Sequence, residues 1–157
     1  MKRTARRMLV LGVAATAASL LVAGWLHTFR VTSGFAVSMA DLHSRHVPAS
    51  LAEVLPAGAS DIWYLCNARS ASADVSFSLS ETEFLAWAEK RGWRVRAVSE
   101  EWQIPLTTYD QDERVQLSVE DGYSFSNFEE RQSGGYVIVA YDRIRRRVYL
   151  SVGSVAG

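Results

Sequence analysis

Ser80-Glu81-Thr82-Glu83-Phe84-Leu85-Ala86-Trp87-Ala88-Glu89-Lys90-Arg91-Gly92 is the stretch on which the fold turns. Ser80 and Glu83 stand at capping-box spacing, where a hydroxyl and a carboxylate each satisfy one free amide of a helix start. Phe84, Trp87, Ala88 and Arg91 follow at helical intervals, and Gly92 falls where a helix wants a left-handed residue to end on. The spacing predicts a helix over 80–92. Its stripe of Phe84, Leu85, Trp87 and Ala88 needs a sheet to cover, since each buried ring contributes a few kcal/mol.

Strand patterns flank this helix on both sides. Asp74 to Ser80 alternates, with Val75, Phe77 and Leu79 on one face and Ser76, Ser78 and Ser80 on a wet one. Ile62-Trp63-Tyr64-Leu65-Cys66-Asn67 is apolar without alternation and reads as a strand buried on both faces. The small-residue loop 67–73 makes the two a long-looped hairpin. After the helix, Trp93 to Val98 alternates and returns the chain to the sheet. Ser99 to Glu113 is irregular, broken by Pro105. Val115 to Val119, Tyr123 to Phe128, Tyr136 to Tyr141 and Val148 to Val152 then supply further strands, with Asp121-Gly122 marking a turn. The order predicts an α+β domain: an antiparallel sheet of about five to seven strands with one main helix packed on one face.

Upstream, Ser50-Leu51-Ala52-Glu53 repeats the capping-box spacing and predicts a short helix through Leu55, stopped by Pro56. Residues 27–49 read as a connector in which Phe35, Val37, Met39 and Leu42 form at most a marginal element. Residues 8–26 carry no charge and follow a leader, residues 1–7, containing Lys2, Arg3, Arg6 and Arg7. Nineteen helical residues reach roughly 28 Å, about the hydrocarbon thickness of a bilayer. The expectation is a single N-terminal transmembrane signal-anchor with Trp25 at the headgroup level and residues 50–157 outside the cytoplasm. Cleavage after Val22-Ala23-Gly24 would instead release a secreted module. Arg6-Arg7 also loosely matches a twin-arginine export address, and either route gives one topology.

Lys and Arg total 17, as do Asp and Glu, but five of the basic residues and none of the acidic ones precede position 31. The remainder carries a net charge of −5. That excludes nucleic acid as an expected partner, because phosphates require a basic surface. The expected partners are the membrane, through residues 8–26, and an envelope protein.

No motif names a reaction, and no catalytic, cofactor or metal residue is assigned. Cys66 is the only cysteine, so it has no internal disulfide partner, and it reads as a small buried thiol. His43 and His46, with Asp41, form the nearest approach to a metal cluster and fall short of a four-ligand site. Asp110, Asp112 and Glu113, with Glu100 and Glu101, are plentiful enough for a carboxylate acid–base pair, which makes a hydrolase the enzymatic alternative. Trp63, Trp102, Tyr109 and Tyr123 offer stacking platforms for a ligand or glycan. Trp102 and Tyr109, flanking the acidic turn, and the basic hairpin tip of Arg143, Arg145 and Arg146 are the candidate contacts to a ligand or partner. Charges at such a tip also guard a sheet against edge-to-edge association. The reading that fits best is a non-catalytic interaction or envelope-assembly module.

Overall fold

The computed structural model describes residues 31–45, 47–67, 70–98, 101–110, 113–128 and 135–154. In chain order the elements are β1 (Val31–Ser38), α1 (Met39–Ser44), α2 (Ala49–Val54), β2 (Ser60–Asn67), β3 (Ser72–Ser78), α3 (Glu81–Lys90), β4 (Arg96–Ala97), β5 (Trp102–Asp110), β6 (Glu113–Val119), β7 (Gly122–Ser126), β8 (Gly135–Asp142) and β9 (Arg147–Ser154). Seven strands form one antiparallel sheet in the order β1-β2-β3-β9-β8-β7-β4, and β5 and β6 pair separately. The domain is therefore mostly β with few helices, further toward the all-β side than the sequence predicts. The leader and the apolar stretch of residues 8–26 lie outside the described residues. Among the described residues no helix is long and apolar enough to cross a membrane.

The core sits on one face of the sheet. Register places Tyr64, Val75, Leu150 and Val139 in one row and Phe77, Val148 and Tyr141 in the next. Helix α3 covers them with Phe84 and Trp87, both buried. The helix forms as its sequence dictates. The Ser80 hydroxyl accepts from the Glu83 amide at 3.3 Å and the Glu83 carboxylate accepts from the Ser80 amide at 3.3 Å, closing the capping box. Gly92, at φ +73°, ends the helix in the left-handed region that glycine enters at least cost. Helix α2 docks beside it: the Val54 carbonyl, orphaned at the helix end, accepts from Trp87 Nε1 at 3.2 Å and from Arg91 Nη2 at 2.9 Å.

The opposite face is only partly wet. The β5–β6 hairpin touches β3, β9 and β8 from that side, and Val119 packs with Ala140 and Tyr149 as a second small core. Ser76 and Ser151 are buried there, although alternation alone marks the β3 serines as solvent-facing. Burial of these hydroxyls is tolerated because each has a partner: Ser151 Oγ donates to Asp74 Oδ1 at 2.6 Å, and Ser76 Oγ accepts from Arg147 Nη2 at 3.0 Å.

Five expectations from sequence change. Residues 31–44, expected within the connector, form β1 and α1; β1 pairs along its length with β2, from Val31 opposite Asn67 to Ser38 opposite Ser60. β2 alternates after all, with Ile62, Tyr64 and Cys66 buried and Trp63 exposed, because the hairpin does not cover this end of the second face. Only Arg96–Ala97 of the stretch 93–98 pairs, since the Trp93 amide folds back to the Ala88 carbonyl and the Val95 amide to that of Trp93. The irregular stretch becomes β5, whose ladder skips between Ile104 and Thr108, where Pro105 has no amide to give. Finally, α2 starts one residue before the expected cap: Pro48 occupies the N-cap and makes no side-chain cap bond.

Candidate functional site

The end of the second face left open by the hairpin belongs to β1 and β2. The odd-numbered residues of β1 point there: Val31 is 57% exposed and Val37 61%, and Phe35 is half-buried. Register sets Phe35 opposite Trp63, their ring centroids 5.0 Å apart and tilted by 50°. Trp63 is 52% exposed. Phe35 and Trp63 thus form an apolar pair open to solvent on two neighbouring strands, with Val37 two residues along β1 and Val31 farther off on the same face beyond Ser33, whereas singly scattered exposed hydrophobics are ordinary. Glycine at position 34 serves the other face, where a Cβ would meet the Tyr64 hydroxyl at 2.5 Å.

The edge of this patch is also the edge of the sheet. β1 is an end strand among the described residues. It carries no charged residue and no proline along VTSGFAVS. The opposite end strand, β4, is two residues long and includes Arg96. Short, charged edges resist strand addition, while long uncharged ones present a row of free amides and carbonyls to another strand. Ser38 terminates β1 by capping α1, accepting from the Asp41 amide, and Asp41 in turn accepts from the Val37 amide at 3.0 Å.

The basic hairpin tip is committed to structure. Arg143 lays a fork on Glu81, with Nε to Oε2 and Nη2 to Oε1 both at 3.0 Å. Nη1 pairs with Asp121, and Tyr123 Oη donates to Glu81 Oε1 at 2.9 Å while accepting from Arg143 Nη2 at 3.1 Å. This clamp ties the first turn of α3 to β7 and the β8–β9 turn. It holds the Glu81 carboxyl below its ordinary range, chiefly through the Arg143 hydrogen bonds and then that of Tyr123, so Glu81 remains an anion rather than a proton donor. Arg145 is similarly engaged, donating through its amide at 2.8 Å and Nη1 at 2.5 Å to the buried Asp142. Arg146, at φ +51°, makes no ion pair among the described residues.

Beneath the hairpin a set of polar groups is partly sealed. Burial pushes the Asp74 carboxyl up, against the opposing hydrogen bond from Ser151. On the other, helix-covered face of β2, burial with the nearby Asp74 charge pushes the Cys66 thiol up to about 11. Such a thiol is a poor nucleophile at neutral pH, because only the thiolate attacks. Arg147 donates to the Asp61 carbonyl at 3.0 Å, holding the left-handed kink, φ +48°, where the β2–β3 register shifts.

Other candidate residues disperse. Trp102 and Tyr109 lie at opposite ends of β5, in register with Val119 and Arg114; their rings fall outside the described residues. Asp110 and Glu113 face each other across the β5–β6 turn, Glu101 is exposed, and Glu100 and Asp112 lie outside the described residues. Tyr123 is occupied by the clamp and its ring lies 6.2 Å from that of Phe84, stacked at 24°, so it is not a free platform. Asp41 is bound by Arg45 through two contacts of 3.1 Å, and His43 Nδ1 contacts the Met39 carbonyl; His46 lies outside the described residues. No group of three His, Cys, Asp or Glu is placed to hold a metal among the described residues.

No protein-family model, curated protein or solved structure matches the chain. The sequence marks Trp63 as a platform but not its partner Phe35, because the stretch of β1 reads as a connector. The alternation of Val31, Ser33, Phe35 and Val37 was the available signal. The Glu81–Arg143 clamp, spanning 62 positions, leaves no local signal.

Proposed function

We propose that the chain is a membrane-anchored extracytoplasmic domain that works by contact rather than catalysis, as an interaction or envelope-assembly module. In the finer architecture we infer, α3 is the main cover of an α+β domain, preceded by a single transmembrane helix over residues 8–26. The observation that carries the interaction reading is the long, uncharged edge of β1, beside a short and charged opposite edge. Strand addition at such an edge draws affinity from main-chain hydrogen bonds and specificity from alternate side chains. The anchor reading draws on the 19 uncharged residues behind a basic leader.

The test is photocross-linking in intact cells, with a benzophenone side chain at Ser33 of the full chain and, separately, at Ile144 on the β8–β9 turn. A discrete protein adduct from Ser33 that is absent from Ile144 is the expected result. Identical adduct patterns at the two positions would contradict the reading.

A further inference from the structure

We propose that Trp63, Arg147 and Asp61 form a binding site for a neutral sugar ring, a pyranose unit of a glycan. The three residues are gathered by the kink in β2. Register sets Trp63 opposite Ser76, and a bulge separates that pair from Ser60 opposite Ser78. Arg147, which pairs with Ser78 on the far side of β3, sends its side chain back across that strand. Nη2 donates to Ser76 Oγ and to the Asp61 carbonyl, both at 3.0 Å, and to the Ser76 carbonyl at 3.3 Å. Nη1 reaches Ser78 Oγ at 3.5 Å. The guanidinium is thereby fixed between Ser76, the cross-strand neighbour of Trp63, and Asp61, two residues before it.

What these groups leave unused defines the ligand. Trp63 is 52% exposed, with Phe35 on its β1 side and Ser76 on its β3 side. Arg147 is half-buried and makes no ion pair among the described residues. Its Nε has no hydrogen-bond partner among them, and no buried side-chain nitrogen or oxygen there lacks one, so that N–H is open to solvent. The Asp61 side chain is exposed and is likewise in no ion pair among the described residues. Burial lowers the Arg147 pKa, which Tyr149 and Asp61 oppose through their charges, so the Asp61 carboxylate lies within electrostatic reach of the guanidinium. An aromatic platform, a forked donor and an acceptor side by side match the surface of a pyranose. Its axial C–H bonds carry partial positive charge and pack on the negative face of an indole. Its neighbouring hydroxyls both donate and accept, so one pair can bridge carboxylate and guanidinium. A purely apolar occupant would leave Arg147 Nε and the Asp61 carboxylate without hydrogen bonds, and an anion would meet the Asp61 charge. The site lies on the face of the sheet and does not use the free edge of β1, so it stands apart from the strand-addition and anchor readings.

The experiment is a saturation-transfer NMR titration of the full chain, in a detergent without a sugar headgroup, with cellotetraose, chitotetraose and maltotetraose, and with tetragalacturonic acid as the anionic comparison. At least one neutral sugar should bind. Trp63→Ala should weaken that binding roughly tenfold, the scale of one lost aromatic contact, and Trp63→Phe, which keeps an aromatic face, should recover most of the loss. Asp61→Asn spares the backbone carbonyl held by Arg147 and should weaken binding several-fold. Ile144→Ala, at an exposed apolar residue of the β8–β9 turn, should leave it unchanged. Absence of transfer to every neutral sugar at millimolar concentration would overturn the inference. Binding that Trp63→Ala leaves intact would overturn it by placing the sugar elsewhere, and tighter binding of tetragalacturonic acid than of all three neutral sugars would overturn the role given to Asp61 and the neutral-sugar assignment with it.

Discussion

Truncating Phe84 to alanine tests the core most sharply. The ring is fully buried and is stacked with Tyr141 at 4.9 Å and 19°, with Tyr123 at 6.2 Å, and tilted against Trp87 at 6.1 Å. Removing a buried phenyl costs about 3–5 kcal/mol, the transfer free energy of the ring plus the cavity it leaves. The surrounding rings come from α3, β7 and β8, so they cannot collapse together without moving a helix off a sheet, and the upper half of that range is expected. A domain with a total stability of about 5–15 kcal/mol loses about a quarter of it or more. With a urea slope of about 2 kcal/mol/M the midpoint falls by roughly 2 M. The assay is urea titration of the full chain in detergent micelles, followed by tryptophan fluorescence, with Phe84→Leu as a partial truncation and Thr82→Ala, on the exposed side of the same helix, as the surface control. Thr82→Ala should shift stability by about 0.5 kcal/mol or less, and Phe84→Leu should fall between the two. If Phe84→Ala costs no more than Thr82→Ala, α3 does not pack on the sheet as described.

Three further outcomes follow from particular contacts. Glu81 is held below its ordinary value of 4.5, chiefly by Arg143, so its contribution is complete above the unfolded value and lost as pH falls through the lower folded one; Glu81→Gln should flatten the acid limb of a stability–pH profile below about pH 4.5. Asp74 is shifted the opposite way by burial: the folded state favours the neutral acid, so the penalty grows as pH rises from the ordinary 3.8 through the raised value and is complete above it. Asp74→Asn, which keeps an acceptor for Ser151, should therefore raise the urea midpoint at pH 7 and make no difference at pH 3. At Gly122 an added Cβ would collide with the Tyr141 carbonyl oxygen, so Gly122→Ala should abolish cooperative thermal unfolding, whereas Gly92→Ala, with nothing within 4 Å of the new Cβ, should cost only the left-handed backbone term of about 1–2 kcal/mol.

What the sequence made legible was local. The Ser80–Glu83 box, the Phe84–Trp87 stripe and Gly92 specify α3 within a dozen residues, and β8 and β9 announce themselves by composition. What it concealed depends on partners far along the chain. β1 alternates only weakly because its second face stays open, so its membership in the sheet becomes evident only when β2 lies beside it. The serines of β3 carry a pattern that says water, yet the β5–β6 hairpin closes over them and Arg147 supplies the missing hydrogen bonds. Arg143 looks like surface charge until Glu81, Asp121 and Tyr123 are brought around it by folding. For the same reason the candidate interaction surface lies in a segment whose sequence reads as a connector, while Arg143, Arg145 and Tyr123 serve the fold.

The most direct test of the account is the intact mass of the native protein together with its behaviour on alkaline carbonate extraction of membranes. The account predicts an uncut chain that stays with the bilayer. A chain beginning near Trp25 and released into the supernatant would contradict it, and would make this a free secreted module.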